Sequence, residues 1–331
     1  MKAGTFAPLL QGFFTERLLQ QQGASPHTVA SYRDTFRLLL LFACERLHKP
    51  PARIAIEDFT PAFLGDFLRH LEVDRGNSIR TRNGRLSALR AFFRFVIMSE
   101  PALALQCQQV LAVPAKRYEH NAVAFLDERE AATLVAAPDT RTWIGRRDRV
   151  LLQVAIQTGM RNTEITSLCW QNVSLGVAGH VRCLGKGRKT RCTPLRPDVV
   201  ESLQQWFTEQ RGTPATPVFP SSRGGPLSAD ALQAIVGRHT ATASRSCQTL
   251  ARKRVTPHTL RHTAAMDLLR RGVDLSVIAL WLGHESSETT QIYLHADMGI
   301  KEKALAHATP DGSAPGRYRP PDSLLAFLEG L

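Results

Sequence analysis

The sequence predicts a mainly helical protein with a small β-sheet, arranged as two domains. Three observations carry this. Apolar residues recur at helical spacing through the first hundred residues; a second helical region is led by a helix over 146–157 built on Val150, Leu151, Leu152, Val154, Ala155 and Ile156; and strands are confined to 171–195, where GKGRK makes a cationic glycine turn. A chain of 331 residues with 43% hydrophobic content can build two cores, which excludes the disordered class.

Helix one covers about Phe6 to Gln21, with Phe6, Leu9, Leu10, Phe13, Phe14 and Leu18 on one face, and Gly23 stops it. Ser25 with Pro26 is an N-cap followed by proline at the first helical position, opening a helix to about Leu47. Val29, Tyr32, Phe36, Leu39 and Leu40 face inward there, leaving Arg33 and Arg37 outside. A third helix follows Thr60, and a fourth runs from about Ser78 to Met98 on a stripe of Leu86, Leu89, Phe93 and Val96. Arg82, Arg85, Arg90 and Arg94 lie largely off that stripe. No acidic residue stands between Gly76 and Ser99, so no i,i+4 ion pair neutralises the row, and it reads as a phosphate-contacting face. Between Ser99 and Asn121 periodicity weakens and Pro101, Pro114, Lys116 and Arg117 appear. This is a linker whose basic end suits a phosphate backbone.

The second domain begins near Phe125, with a short helix from Asp127 and the apolar helix Arg146 to Gln157, ended by Thr158 and Gly159. Arg161 then projects from a sharp turn into the short helix NTEITSL, a rigid mount for an arginine that holds a phosphate. Strands are expected near Gln171–Leu175, His180–Leu184 and Thr190–Leu195, then helices at about Val199–Glu209 and Ala229–His239. A loop ending in Arg252, Lys253 and Arg254 leads into Pro257, and these cations suit phosphate positioning. Beyond Tyr293, Ile300–His307 reads as a helix, TPDGSAPGRYRPPDS as a tether, and Leu324–Leu331 as an apolar end.

A net charge of +13 predicts a polyanionic partner, nucleic acid before membrane. The N-terminus carries no signal-peptide pattern and the longest apolar run, around Leu38 to Cys44, is too short to span a bilayer, so a cytoplasmic protein is expected. Six cysteines without a C-x-x-C pair predict neither disulfides nor a zinc site. GKGRK lacks the P-loop spacing, so no nucleotide is expected. His258 and His262 have metal-ligand spacing, but without the H-E-x-x-H glutamate no metal is expected.

The segment from Pro257 to His295 organises the rest. PHTLRHTAAMDLLRRG places His258 and Arg261 on one helix face, LWLGHESSETTQIYLH adds His284, and Tyr293 follows nine residues later. A reacting phosphodiester needs such an inventory: cationic forks for its non-bridging oxygens, imidazoles near its reacting oxygens and a hydroxyl nucleophile. With the upstream T-G-M-R, this ordered set resembles the tyrosine recombinase (phage integrase) family, most closely its Xer-type and transposon-borne members, over roughly residues 8–300.

The resemblance implies a four-helix SAM-like core-binding domain over 1–100 with helices two and four against DNA, and a linker over 101–121. It implies an α+β catalytic domain over 122–309 and a protomer-docking tail over 310–331. Arg161 and Arg261 would neutralise the scissile phosphate, with His284 adding a hydrogen bond. Tyr293 would attack phosphorus as His258 accepts its proton, and Lys186, aligned through V-R-C-L-G-K-G-R-K-T-R in preference to Lys189, would protonate the leaving oxygen. Glu164 is expected to orient Arg161, His262 to be structural, and Glu285 departs from the serine common in relatives. The implied reaction is DNA strand exchange through a 3′-phosphotyrosine link, without metal, ATP or cofactor. Its implied setting is a homotetramer, or a heterotetramer with related recombinases, on paired sites in double-stranded DNA, nucleoid-associated in a bacterial cytoplasm. A type IB topoisomerase or resolving enzyme would use the same residues, and a non-catalytic accessory protein would lose one of them.

Overall fold

The computed structural model describes residues 6–118, 123–184, 190–283, 290 and 293. The chain divides into two units, 1–120 and 121–331. The described residues are mainly helical, with one three-stranded sheet.

In the first unit, α1 (Phe6–Gly12) runs on into a π-helical stretch (Phe13–Gln21), and α2 spans Pro26–Leu47. α3 is Pro61–Val73 and α4 is Ile79–Ser99. The Ser25, Thr60 and Ser78 hydroxyls each accept a first-turn N–H at 3.2 Å, and Pro26 and Pro61 open their helices, so the capping pattern in the sequence sets these starts. The core is aromatic: Phe6, Phe13, Phe36, Phe59, Phe92 and Phe93 are buried, many of them in edge-to-face or tilted pairs.

Two features of this unit differ from the sequence reading. Part of the expected linker, Ala104–Leu111, is a helix (α5) that buries Cys107 and Val110 against the aromatic core. Arg82, expected off the buried face, is only 6% exposed; it pairs with Glu72 of α3 at 3.2 Å and donates to the Pro114 carbonyl. The missing anion comes from the neighbouring helix rather than from the arginine's own. Arg90 likewise donates to the Val113 carbonyl, and Lys116 pairs with Glu72 at 2.7 Å.

The second unit is built on α7 (Trp143–Thr158), whose Val150, Leu151, Leu152, Val154 and Ala155 are buried between α6 (Glu128–Ala136), α9 (Pro197–Gln210) and α12 (Pro257–Arg270). Fully buried Asp148 ties α7 to α10 (Ala229–Ala243), accepting from Arg147 and pairing with His239 at 2.8 Å. α8 is Asn162–Thr166, α11 is Gln248–Ala251 and α13 is Leu275–Leu282. The antiparallel sheet runs β1 (Val173–Ser174), β2 (His180–Leu184), β3 (Thr190–Pro194), with Val181 opposite both Val173 and Thr193. Among the described residues no helix is long and apolar enough to cross a membrane.

Candidate active site

Two helices end in glycine caps, and both ends face the same place. α7 closes at Gly159 (φ 63°) and α13 at Gly283 (φ 64°), left-handed conformations that L side chains rarely adopt. Helix C-termini carry unpaired carbonyls and the negative end of the helix dipole, and both are used here to seat guanidinium groups. Arg261 donates to the Gly159 carbonyl at 2.6 Å and to the Leu282 carbonyl at 2.8 Å; Arg161 donates to the Gly283 carbonyl at 2.7 Å.

Glu164 completes this frame. Its carboxylate accepts from the Arg161 backbone N–H at 2.7 Å and side chain at 3.0 Å, capping α8. It also takes both terminal nitrogens of Arg191, on β3, at 2.7 Å each. Burial pushes the Glu164 carboxyl up, but the hydrogen bonds from Arg191 and Arg161 and their charges outweigh it and hold it below the usual range. Burial pushes Arg261 down to about 10, reinforced by the charge of Arg161. Two guanidiniums that disfavour each other in a partly dry site are poised for an anion.

A cavity of about 350 Å³ opens on this frame, lined by Arg161, Arg261 and His258, with Asn162, Thr163 and Gln233 around them. It suits a phosphate group. Tyr293 is 1% exposed, packed among Ala265, Met266, Leu269, Ile278 and Leu282. Its burial pushes the phenol up to about 12 despite the opposing charge of Arg261. The phenol oxygen lies 3.0 Å from Nδ1 of His262.

The structure therefore gathers Arg161, His258, Arg261 and Tyr293 in one unit. Lys186, Lys189, His284, Glu285 and the tail 310–331 lie outside the described residues. Of the cations expected on a phosphate backbone, Arg33, Arg37, Arg94, Lys116, Arg117, Arg252 and Arg254 are exposed, whereas Arg85 and Arg90 are half-buried and Arg82 is buried. Lys253 is committed within the protein, donating to the Phe125 carbonyl at 2.9 Å and pairing with Glu130 at 2.5 Å. Sequence reasoning missed Arg191, though strand alternation places it on the face of buried Thr193. It also assigned His262 a structural role, without the contact to Tyr293. Among the described residues no group of three or more His, Cys, Asp or Glu could hold a metal ion.

Residues 124–299 match the phage integrase family and 12–100 the phage integrase N-terminal SAM-like domain. A Sinorhizobium fredii protein named as a candidate integrase/recombinase, y4rC, is 50% identical over 331 residues, covering 100% of this chain and 99% of the relative. The tyrosine recombinase XerD of Pseudomonas putida is 31% identical over 315 residues, covering 92% and 98%. Among solved structures, the XerH site-specific recombinase bound to palindromic difH substrate shares the fold with a TM-score of 0.66, at 22% identity over 86% of this chain and 81% of that one. The Tn1549 transposon integrase with right-end DNA does so at 0.68, with 15% identity over 90% and 98%.

Proposed function

The chain belongs to the phage integrase family of tyrosine recombinases, and from that membership we propose how its own residues cut and rejoin DNA. It is a site-specific recombinase, a DNA strand transferase. The observation that carries the residue assignment is the convergence of Arg161 and Arg261 on one cavity, with the Tyr293 phenol hydrogen-bonded to α12, the helix that carries Arg261. The two guanidiniums neutralise the non-bridging oxygens of the scissile phosphate. Because helix-end carbonyls and Glu164 already fix them, little reorganisation accompanies charge development, a contribution on the scale of about 3 kcal/mol per donor. Tyr293 forms the bond to phosphorus, leaving a 3′-phosphotyrosine and a free 5′-hydroxyl, with Lys186 as the acid for that oxygen and His284 as a further phosphate donor. The proton of Tyr293 passes to an imidazole of α12. The linkage conserves the energy of the phosphodiester, so a 5′-hydroxyl from another strand religates it.

Two such exchanges require paired sites, and the working assembly is a tetramer on DNA, of this chain alone or with related recombinases. The test is to trap covalent adducts in cells by rapid denaturation and sequence the attached DNA. Reads converging on paired, related sites are the expected result, and absence of any adduct sinks the reading.

The positive charge at the phosphate comes from arginine, so cleavage of the captured sequence should run at its full rate in EDTA and without nucleotide. A strict need for magnesium in a single-turnover assay would contradict this.

The exposed cations are the ones that release counterions from DNA. Arg37→Ala and Arg94→Ala should each weaken binding to unrelated sequences and flatten the slope of log affinity against log salt by about 1. Arg82→Ala, which takes from Glu72 the buried one of its two cationic partners, should instead lower the denaturation midpoint. Unchanged slopes for both exposed arginines would remove these faces of α2 and α4 from the DNA interface.

A further inference from the structure

Transfer of the Tyr293 proton is a demanding part of cleavage, because a phenol whose value lies at about 12 is ionised only to about 10⁻⁵ at neutral pH. α12 presents two imidazoles one turn apart, their ring centroids separated by 4.2 Å and their planes inclined at 68°. They stand in different surroundings. His258, in the exposed first turn, lines the cavity with Arg161 and Arg261. His262, half-buried, directs Nδ1 at the Tyr293 oxygen over 3.0 Å, with its ring edge-to-face to the phenol at 5.5 Å. A neutral imidazole with Nδ1 unprotonated accepts that hydrogen bond, the arrangement a general base requires.

We propose that His262 is the catalytic base for Tyr293, leaving His258 to serve the phosphate. This rests on Tyr293 being the nucleophile. In the cleavage step Nδ1 of His262 takes the phenolic proton and becomes imidazolium while the phenolate oxygen bonds to phosphorus. The bond from phosphorus to the 5′-oxygen breaks with its electron pair on that oxygen, which takes a proton from the acid assigned to Lys186. In religation the incoming 5′-hydroxyl gives up its proton to that same group, phosphorus leaves the tyrosine oxygen, and imidazolium returns the proton to it.

The test is single-turnover cleavage of a nicked duplex of the captured sequence, made with ordinary phosphate or with sulfur in place of the bridging 5′-oxygen. A sulfur leaving group removes the need for an acid but not for a base. His262→Ala should bind DNA as wild type does yet cleave both substrates about 10²–10⁴-fold more slowly. Tens of millimolar imidazole, diffusing into the space left by the ring, should restore its rate at least about tenfold. His262→Gln, which keeps the side-chain bulk and a hydrogen-bond acceptor but cannot take a proton, should be as slow and gain nothing from imidazole. Should the alanine variant fail to fold, the glutamine variant decides. Wild-type cleavage by either His262 variant overturns the proposal. So does a slow alanine variant that imidazole cannot restore, or rescue that appears in His258→Ala instead. Tyr293→Phe in the same assay separates the two levels: an adduct formed by it removes the parent reading. Its loss alongside unimpaired His262 variants removes only the assignment of the base.

Discussion

Tyr293→Phe yields no covalent protein–DNA adduct, while its affinity for the site stays within about twofold of wild type. The first half follows from chemistry, since the phenol oxygen is the atom that bonds to phosphorus. The second follows from the structure: phosphate affinity rests on Arg161 and Arg261, whose guanidiniums are held by the carbonyls of Gly159, Leu282 and Gly283 and by Glu164 rather than by the phenol. The hydrogen bond to His262 that the variant loses is worth about 1 kcal/mol, so it should remain folded. Denaturing gels read the adduct and native gels read binding. Lys186→Ala gives a contrasting defect, slowing cleavage by about 10²–10⁴-fold. Sulfur at the bridging 5′-position should largely rescue it and leave Tyr293→Phe dead. Adduct formation by the phenylalanine variant on either substrate would refute the assignment.

The second large effect is on stability. Glu164→Ala removes the carboxylate that bridges Arg161 and Arg191, leaving Arg191, whose side chain is 10% exposed, buried without that partner. Breaking a buried pair from one side costs about 3–5 kcal/mol, a large part of the roughly 5–15 kcal/mol that holds a domain together. Urea denaturation should show the loss, and cleavage should fall with it because Arg161 is no longer aimed. pH adds a second reading. The Glu164 carboxyl lies below its ordinary value in the folded protein, so its contribution is complete above that ordinary value, near 4.5, and is lost as pH falls through the lower folded one. Glu164→Gln should therefore converge on wild-type stability as pH is lowered through that window. A constant difference across it would mean that the charge is not what stabilises the frame.

Much of this was legible in the sequence because the signals are local. Serine or threonine before proline set the starts of α2 and α3, and T-G-M-R announced an arginine mounted just beyond a helix end. The three-residue step from His258 to Arg261 fixed a shared face. What was not legible depends on partners distant in the chain. Arg82 reads as a surface cation until α3 brings Glu72 beside it, because the ion pair lies between helices. α5 has only two fully buried side chains, Cys107 and Val110, too few for periodicity to stand out between prolines. Arg191 sits in a cationic hairpin sequence where any arginine looks solvated; its bond to Glu164 spans 27 residues. His262 follows an arginine of recognised type, and only the return of the chain at Tyr293 gives it a role.

The seats of the two arginines have a consequence for how this enzyme can be dissected. Three of their acceptors are main-chain oxygens, of Gly159, Leu282 and Gly283, so truncating side chains one by one can remove the Glu164 carboxylate but leaves those three in place. A mutational survey would file these positions as turn residues. Yet a methyl group on Gly159 would approach Leu282 to 2.6 Å, and one on Gly283 would meet the Arg191 guanidinium at 3.0 Å. Such substitutions would be active-site lesions that remove no active-site functional group. Errors in this protein's chemistry can thus be inherited through its architecture, at residues that have nothing to ionise, donate or transfer.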